Sequence, residues 1–419
     1  MQPPPHRVVA LGPDRRSDVV RLDQTAFMIP EENLDPELPY FQWERTAGVV
    51  AEPGDRLVGI HTAFSLGVSV PDGPDGVRTR RVPMAGLSWV GVDPAYRRRG
   101  VLRAMIRHHL HGMHEQGGEA VSGLYASEAG IYGRFGYGCA VVGVTLDLPH
   151  GATLRPVAGA DEVTVDFVTA DPDRHADLVH DLYERACARR PGMTWRPAKL
   201  TRREVEDPPS RRQRGEPLRL LVAETGGRPT GYALLRRELS WVDGAASGKA
   251  NVAELVALDA PTARALWGRV ADLDLVSRTR TPTLAGDDPL LALLVDARGA
   301  SPQRRDTLWL RLVDVDRALG QRTYAHDVDL VLAVTDDLCP WNARRWRLSA
   351  GPEGATCTPT TEDADVALDV RELGAAYVGG FSLAGLSAAG LVTERTPGAV
   401  GRLTTALRSA VEPAATFMF

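Results

Sequence analysis

Short apolar runs alternate along the chain with turn-forming residues. Val49-Val50-Ala51-Glu52 and Leu57-Val58-Gly59-Ile60 flank Pro53-Gly54-Asp55, which predicts two strands joined by a tight turn. A third run, Ala85-Gly86-Leu87-Ser88-Trp89-Val90-Gly91-Val92, predicts a strand that stops at Asp93-Pro94, a pair that breaks regular structure. After Arg97-Arg98-Arg99-Gly100 the period changes. Val101, Met105 and His109 fall one helical turn apart, as do Leu102, Ile106 and Leu110. That spacing predicts a helix ended by Gly117-Gly118. Another strand is expected over 120–125.

Part of this pattern returns. Val50-Ala51-Glu52-Pro53-Gly54-Asp55-Arg56-Leu57-Val58-Gly59-Ile60 lies over Val222-Ala223-Glu224-Thr225-Gly226-Gly227-Arg228-Pro229-Thr230-Gly231-Tyr232 without a gap. Val90-Gly91-Val92-Asp93 then lies over Val256-Ala257-Leu258-Asp259, in the same order and at nearly the same separation. The echo fits a duplicated fold, and short hairpins can also match by chance. The second copy has no Arg-x-x-Gly; Thr262-Ala263-Arg264-Ala265 stands there instead. A third region opens with Leu308-Trp309-Leu310-Arg311-Leu312-Val313-Asp314-Val315. Alternating runs such as Val366-Ala367-Leu368-Asp369-Val370, with helices expected over 373–377 and 401–411, read as an α+β unit. The last residues, Thr416-Phe417-Met418-Phe419, are apolar, where disordered tails are usually polar. This tail is expected to be buried.

Composition narrows the class. The 419 residues carry 49 basic and 54 acidic side chains, net −5, so no chain-wide basic footprint for nucleic acid exists. Hydrophobic residues make up 43% and charged residues 25%, ordinary for a globular protein and incompatible with disorder throughout. No run approaches the ~18 apolar residues of a membrane span, and residues 1–7 lack the layout of a signal peptide. A cytoplasmic protein without nucleic-acid or membrane partners is expected. Cys139, Cys187, Cys339 and Cys357 are scattered, which indicates neither a disulfide framework nor a zinc site.

The junction of strand, arginine run and helix carries the strongest chemistry. A helix start leaves backbone N–H groups unpaired, and the helix dipole adds positive charge there. Gly100 permits close approach of a ligand, and the arginines add fixed charge. Together these suit a pyrophosphate. A surface arginine run that merely caps a helix has the same spacing, so both readings stay open. His108, His109, His111 and His114 place several imidazoles on one helix. No carboxylate or cysteine completes a metal set with them, and no metal is expected. Asp314, Asp316, Asp327 and Asp329 read as turn and surface acids.

Val90-Gly91-Val92-Asp93-Pro94 followed by Arg97-x-x-Gly100 resembles the acetyl-CoA motif of the GNAT N-acetyltransferases, with Leu102 where a small residue is usual. Arg97-Arg98-Arg99-Gly100-Val101-Leu102-Arg103-Ala104-Met105 and Ala126-Ser127-Glu128-x-Gly130-Ile131-Tyr132-Gly133-Arg134-Phe135-Gly136-Tyr137-Gly138 together resemble the "enhanced intracellular survival" (Eis) acetyltransferases of actinobacteria. The resemblance spans the chain. It implies an α+β protein with an active GNAT domain over 1–150, a degenerate GNAT-like domain over 151–301 and a sterol-carrier-like domain over 302–419. The cosubstrate implied is acetyl-CoA, with Val90, Gly91 and Val92 along its pantetheine arm. Arg98, Arg99, Gly100, Val101, Leu102 and Arg103 fall to its pyrophosphate, and Ser127 and Glu128 to its reacting end.

By the same resemblance Tyr132 is the general acid, protonating the departing thiolate, and the α-carboxylate of Phe419 is the general base. A phenol is protonated at neutral pH yet can donate as sulfur gains charge. Tyr137 competes with Tyr132 on chemistry, and only the motif register separates them. Phe27, Trp43, Trp89, Tyr125 and Met418 fall where the family binds its acceptor; core packing is the other fate of such aromatics. Glu31, Glu32 and Glu44 can attract a cationic amine or sit in solvent as surface charge. Aminoglycoside-acetylating members often carry an acid just before the terminal residue, and Met418 stands there instead. The acceptor implied is a primary amine, on an aminoglycoside-like or other polyamine or on a protein lysine. A non-catalytic lipid-binding scaffold is the alternative. The family also implies a homohexamer built from trimers.

Overall fold

The computed structural model describes residues 6–29, 40–73, 77–212 and 214–419. In the first sheet β1 (His6–Ala10), β2 (Thr46–Ala51), β3 (Arg56–Pro71) and β4 (Thr79–Val92) are successive antiparallel neighbours. β5 (Val121–Tyr125) runs parallel to β4. Helix α1 (Arg16–Phe27) joins β1 towards β2, and α2 (Val101–Gln116) crosses from β4 to β5. β2 is buried along its whole length and β3 along nearly all of it. A sheet covered on both faces needs continuous apolar strands rather than alternating ones, and the run Val49-Val50-Ala51 reflects that.

A second sheet has the same wiring. Arg219–Thr225 and Arg228–Glu238 form an antiparallel hairpin, Gly248–Ala257 pairs next, and Val276–Arg280 runs parallel to it after helix Ala260–Ala271. These correspond to β2, β3, β4, β5 and α2. The two echoed segments of sequence fall on equivalent hairpins and strand ends, so the fold is duplicated.

The closing strands are exchanged. After β5 the first sheet continues not with the next segment of chain but with Leu308–Leu312, which lies between β5 and β6 (Gly138–Cys139). The second sheet is closed by Asp147–Pro149, which precedes it in sequence. The run expected to open the third region therefore belongs to the first sheet, and Val315 already starts the helix Val315–Gly320.

The remainder forms a five-stranded sheet in the order Gly354–Pro359, Arg345–Gly351, Val328–Thr335, Val366–Asp369, Val392–Glu394. It is bound to the first sheet through a buried ion pair. Arg311 on the inserted strand donates to Asp336 at 2.6 Å and to the carbonyl of Phe135 at 3.0 Å. Leaving either charge without the other would cost roughly 3–5 kcal/mol. The helix expected over 401–411 is shorter, Ala399–Leu407, because Arg408 turns to extended backbone. From there the tail runs beside the second unit: the amide of Ala414 donates to the carbonyl of Pro191 at 2.9 Å, and Arg190 donates to the carbonyl of Glu412 at 2.6 Å.

Candidate active site

β4 and β5 share ladder pairs only from Met84–Gly86 to Val121–Gly123. Beyond Gly86 they part, and the edge of β4 that faced β5 is left open. On its other edge β4 carries a bulge against β3, where the register shifts between Ile60 and Thr62. Trp89 at that bulge has φ 55°, a left-handed conformation that a bulky residue rarely adopts. The bulge redirects Val90, Gly91 and Val92, which line a cleft of about 560 Å³.

The floor of this cleft is the junction singled out in the sequence. Asp93 accepts from the amide of Ala95 at 2.9 Å and so caps the short turn Pro94–Tyr96. The start of α2 has no such cap: Gly100 stands at its N-cap with φ 84° and no side chain bonds to the first turn. The backbone ladder of the helix begins with Ala104 donating to Gly100, so the amides of Val101, Leu102 and Arg103 remain available to an anion. Arg98, also left-handed at φ 60°, borders the cleft with Arg97 and Arg103. Arg99 instead lies over the ring of Tyr96 at 5.2 Å. Ser127 and Glu128 line the opposite wall, where Glu128 sits 3.8 Å from Arg97.

Tyr132 ends the short helix α3 (Ala129–Tyr132) and closes the inner end of the cleft beside Phe135. Burial, with Glu128 adding to it, pushes its phenol up to about 12, so it is protonated at neutral pH. Tyr137 sits differently. It is fully buried, its hydroxyl is 2.8 Å from Ser122 Oγ, and Ser122 Oγ is in turn 2.9 Å from His109 Nε2. Its hydroxyl is thus committed to the core, while the ring of Tyr132 faces the cleft, 6.1 Å from the Tyr137 ring.

The tail arrives from the other side. Ser88, on β4 between Gly86 and Val90, donates to an oxygen of Phe419 at 2.9 Å. Phe417 is buried under two guanidinium groups, Arg196 at 4.8 Å and Arg203 at 5.3 Å from its ring centre. Arg196 is fixed by Glu254 through two bonds of 2.8 and 2.9 Å, and Tyr232 donates to the same carboxylate. Arg203 donates to the carbonyl of Met418 at 3.5 Å. Met418 itself is 70% exposed, so the tail is anchored by its two phenylalanines and not by every apolar residue in it.

The acceptor-side residues separate into groups. Phe27 borders the cleft beside Gly91. Trp43 and Trp89 pack on Phe41, at 5.2 and 4.5 Å between ring centres. Tyr125 meets Phe419 edge to face at 5.5 Å, and its buried hydroxyl has no hydrogen-bond partner among the described residues. Glu44 is exposed; Glu31 and Glu32 lie outside the described residues. Three of the four histidines of α2 are engaged by neighbours, while His108 is exposed. His109 contacts His61 beneath the helix, His111 reaches the carbonyl of Leu338 at 3.0 Å, and His114 stacks on Trp341 and pairs with Asp314 at 2.6 Å. Asp314 is thus a buried junction acid rather than a surface one. Among the described residues no group of three or more His, Cys, Asp or Glu could hold a metal ion.

Ser88, Arg196 and Arg203 were not visible as site residues in the sequence. Each acts on a partner more than 200 positions away, and no local pattern marks such a contact.

Comparison with known proteins defines the class. Residues 8–140 and 187–312 each match an acetyltransferase (GNAT) domain family, and residues 315–416 match the sterol carrier protein domain family. The protein is an N-acetyltransferase of the GNAT type, enzymes that use acetyl-CoA. It is 35% identical over 383 residues to the N-acetyltransferase Eis of Mycobacterium tuberculosis, covering 88% of this chain and 87% of that one. An uncharacterized N-acetyltransferase of Streptomyces avermitilis is 42% identical over 361 residues, 86% of each chain. The crystal structure of Eis1 from Mycobacterium abscessus superposes with a TM-score of 0.81 at 30% identity, covering 99% of this chain and 100% of that one. The chain belongs to the Eis family of N-acetyltransferases.

Proposed function

We propose that the enzyme transfers acetyl from acetyl-CoA to a primary amine by direct attack, without a covalent enzyme intermediate. The pyrophosphate lies at the open N-terminus of α2, held by the amides of Val101, Leu102 and Arg103 and by Arg98. Gly100 leaves room for it. The pantetheine arm follows the free edge of Val90, Gly91 and Val92, with Ser127 and Glu128 opposite. The amine nitrogen attacks the thioester carbon, the N–C bond forms and the C–S bond breaks. The α-carboxylate of Phe419 takes the proton shed by the amine, and Tyr132 gives one to the departing sulfur.

One observation carries this reading: the same strand that lines the cleft beside Tyr132 holds an oxygen of Phe419 through Ser88. Tyr132→Phe tests the acid. With acetyl-CoA and a panel of amines, release of free thiol should slow about 100-fold while CoA affinity stays the same. A wild-type rate in that variant would exclude Tyr132. The acceptor side is proposed from Phe27, Trp43, Trp89, Tyr125 and Met418, and the acceptor is a primary amine of an aminoglycoside-like or other polyamine or of a protein lysine. A hexamer is part of the same proposal, and its mass in sedimentation decides it.

A further inference from the structure

Phe419 brings two groups to one place, and the proposed chemistry uses only its carboxylate. Its ring lies over Gly86, the last residue of β4 paired with β5. A Cβ on Gly86 would stand 2.8 Å from that ring and 2.5 Å from Leu66 Cδ1. The absence of a side chain at 86 is therefore what lets the ring settle there. Tyr125, at the end of β5, meets the same ring edge to face. The point where β4 and β5 part is thus plugged by aromatic rings.

The cleft approaches this plug from the opposite end. Followed backwards along β4 from the start of α2, the residues are Val92, Gly91 and Val90 in the cleft, then Ser88 with the Phe419 oxygen, then Gly86 under the Phe419 ring. Ser88 and Gly86 are two residues apart, about 6–7 Å along a strand. A thioester arm laid on Val92–Val90 presents its acyl carbon near Ser88. Each further methylene of the acyl group then points at the ring.

We infer that the side chain of Phe419 is the acyl-length stop of this enzyme, admitting acetyl and short acyl-CoA thioesters and excluding medium-chain ones. The inference rests on the reading of the cleft as the thioester site. The bonds made and broken are those of the acetyl reaction: N–C forms, C–S breaks, and the protons go to the carboxylate and the sulfur as before. Only the group on the acyl carbon is longer.

Phe419→Ala removes the ring and keeps a terminal carboxylate. In the full chain, the ratio of kcat/KM for hexanoyl-CoA to that for acetyl-CoA should rise about tenfold or more over wild type, since each accommodated methylene discriminates roughly 10-fold or better. Phe419→Leu, which refills part of the space, should fall between. An unchanged ratio overturns the inference. If the loosened tail turns over neither donor, calorimetry without amine decides. Hexanoyl-CoA must gain affinity relative to acetyl-CoA in Phe419→Ala, and equal relative affinities in both proteins refute the stop. Deleting Phe419 separates this idea from the mechanism beneath it. Full acetyl turnover by the deletion breaks the proposed base, whereas an inert deletion with an unaltered Phe419→Ala ratio breaks only the length stop.

Discussion

The two acetyltransferase-like units differ most at the start of their crossover helices. In the second, Asp259 is the N-cap of helix Ala260–Ala271, and its carboxylate accepts from the amide of Thr262 at 2.8 Å. The helix carries its own anion. In the first, the equivalent acid, Asp93, is spent on a separate turn. Seven residues, Pro94 to Gly100, intervene before α2, whose first amides face the cleft uncapped. One fold thus supplies both a phosphate cradle and its self-satisfied counterpart. The difference lies in where a single carboxylate sits relative to a helix end, not in the sheet.

The comparison can be broken most forcefully by moving that carboxylate. Gly100→Asp gives α2 an internal anion, while Gly100→Asn supplies the same shape without charge and tolerates the left-handed backbone. Acetyl-CoA affinity should fall about 10-fold further in the Asp variant than in the Asn variant, a charge effect on the order of 1–2 kcal/mol at a helix end. Equal losses in titration calorimetry would mean that the helix end does not hold the phosphates.

The second unit has lost the cradle but keeps its grip on the tail. Arg203→Met preserves bulk while removing the bond to the Met418 carbonyl and the cation over Phe417. Steady-state kinetics should show kcat down about 10-fold, the scale of one charge-assisted bond, with KM for acetyl-CoA unaltered. A matched fall in both units' thermal stability with kcat intact would reduce Arg203 to packing.

A third contrast lies beneath the helices. His61 under α2 and His109 on the inner face of α2 are buried, and burial lowers both, His61 to about 3. No histidine occurs in helix Ala260–Ala271. A neutral imidazole whose folded pKa is depressed binds its proton only on unfolding, so its share of stability is whole above pH ~6.5. That share is lost as pH falls towards the folded value, by at most about 1.4 kcal/mol per pH unit for each group. Hydrogen exchange should show the first sheet opening before the second as pH drops from 6.5 to 4.5, and His61→Phe should flatten that slope. The smallest effect belongs to the second cap itself. Asp259→Ala should cost about 1 kcal/mol in denaturant unfolding and confer no CoA binding.

How much of this could be read from residues alone depended on sequence distance. The hairpin echo and the arginine loop are contiguous, so turn chemistry and period expose them, whereas the Gly-flanked Tyr132 segment was legible only through its resemblance to the family motif. The missing Arg-x-x-Gly was legible as an absence, but that Asp259 fills the vacated amides required coordinates. Ser88 looked like one polar residue in an apolar strand; its partner lies 331 positions away. The apolar run 308–312 was read as the opening of the third region and not as a member of the first sheet, because β-propensity reports a half-buried surface and not which sheet receives it. Trp43 and Trp89 fall together through Phe41, a residue no periodicity singled out.

Because Leu308–Leu312 closes the sheet begun at His6, the amino-terminal unit stays unfinished on the ribosome until more than half of the remaining polypeptide has been made. Its exposed strand edges at β5 and β6 must meanwhile wait for their neighbour, a long loop closure of the kind that slows folding. Excising residues 8–140 for separate expression would leave that gap permanently open and offer it to other chains.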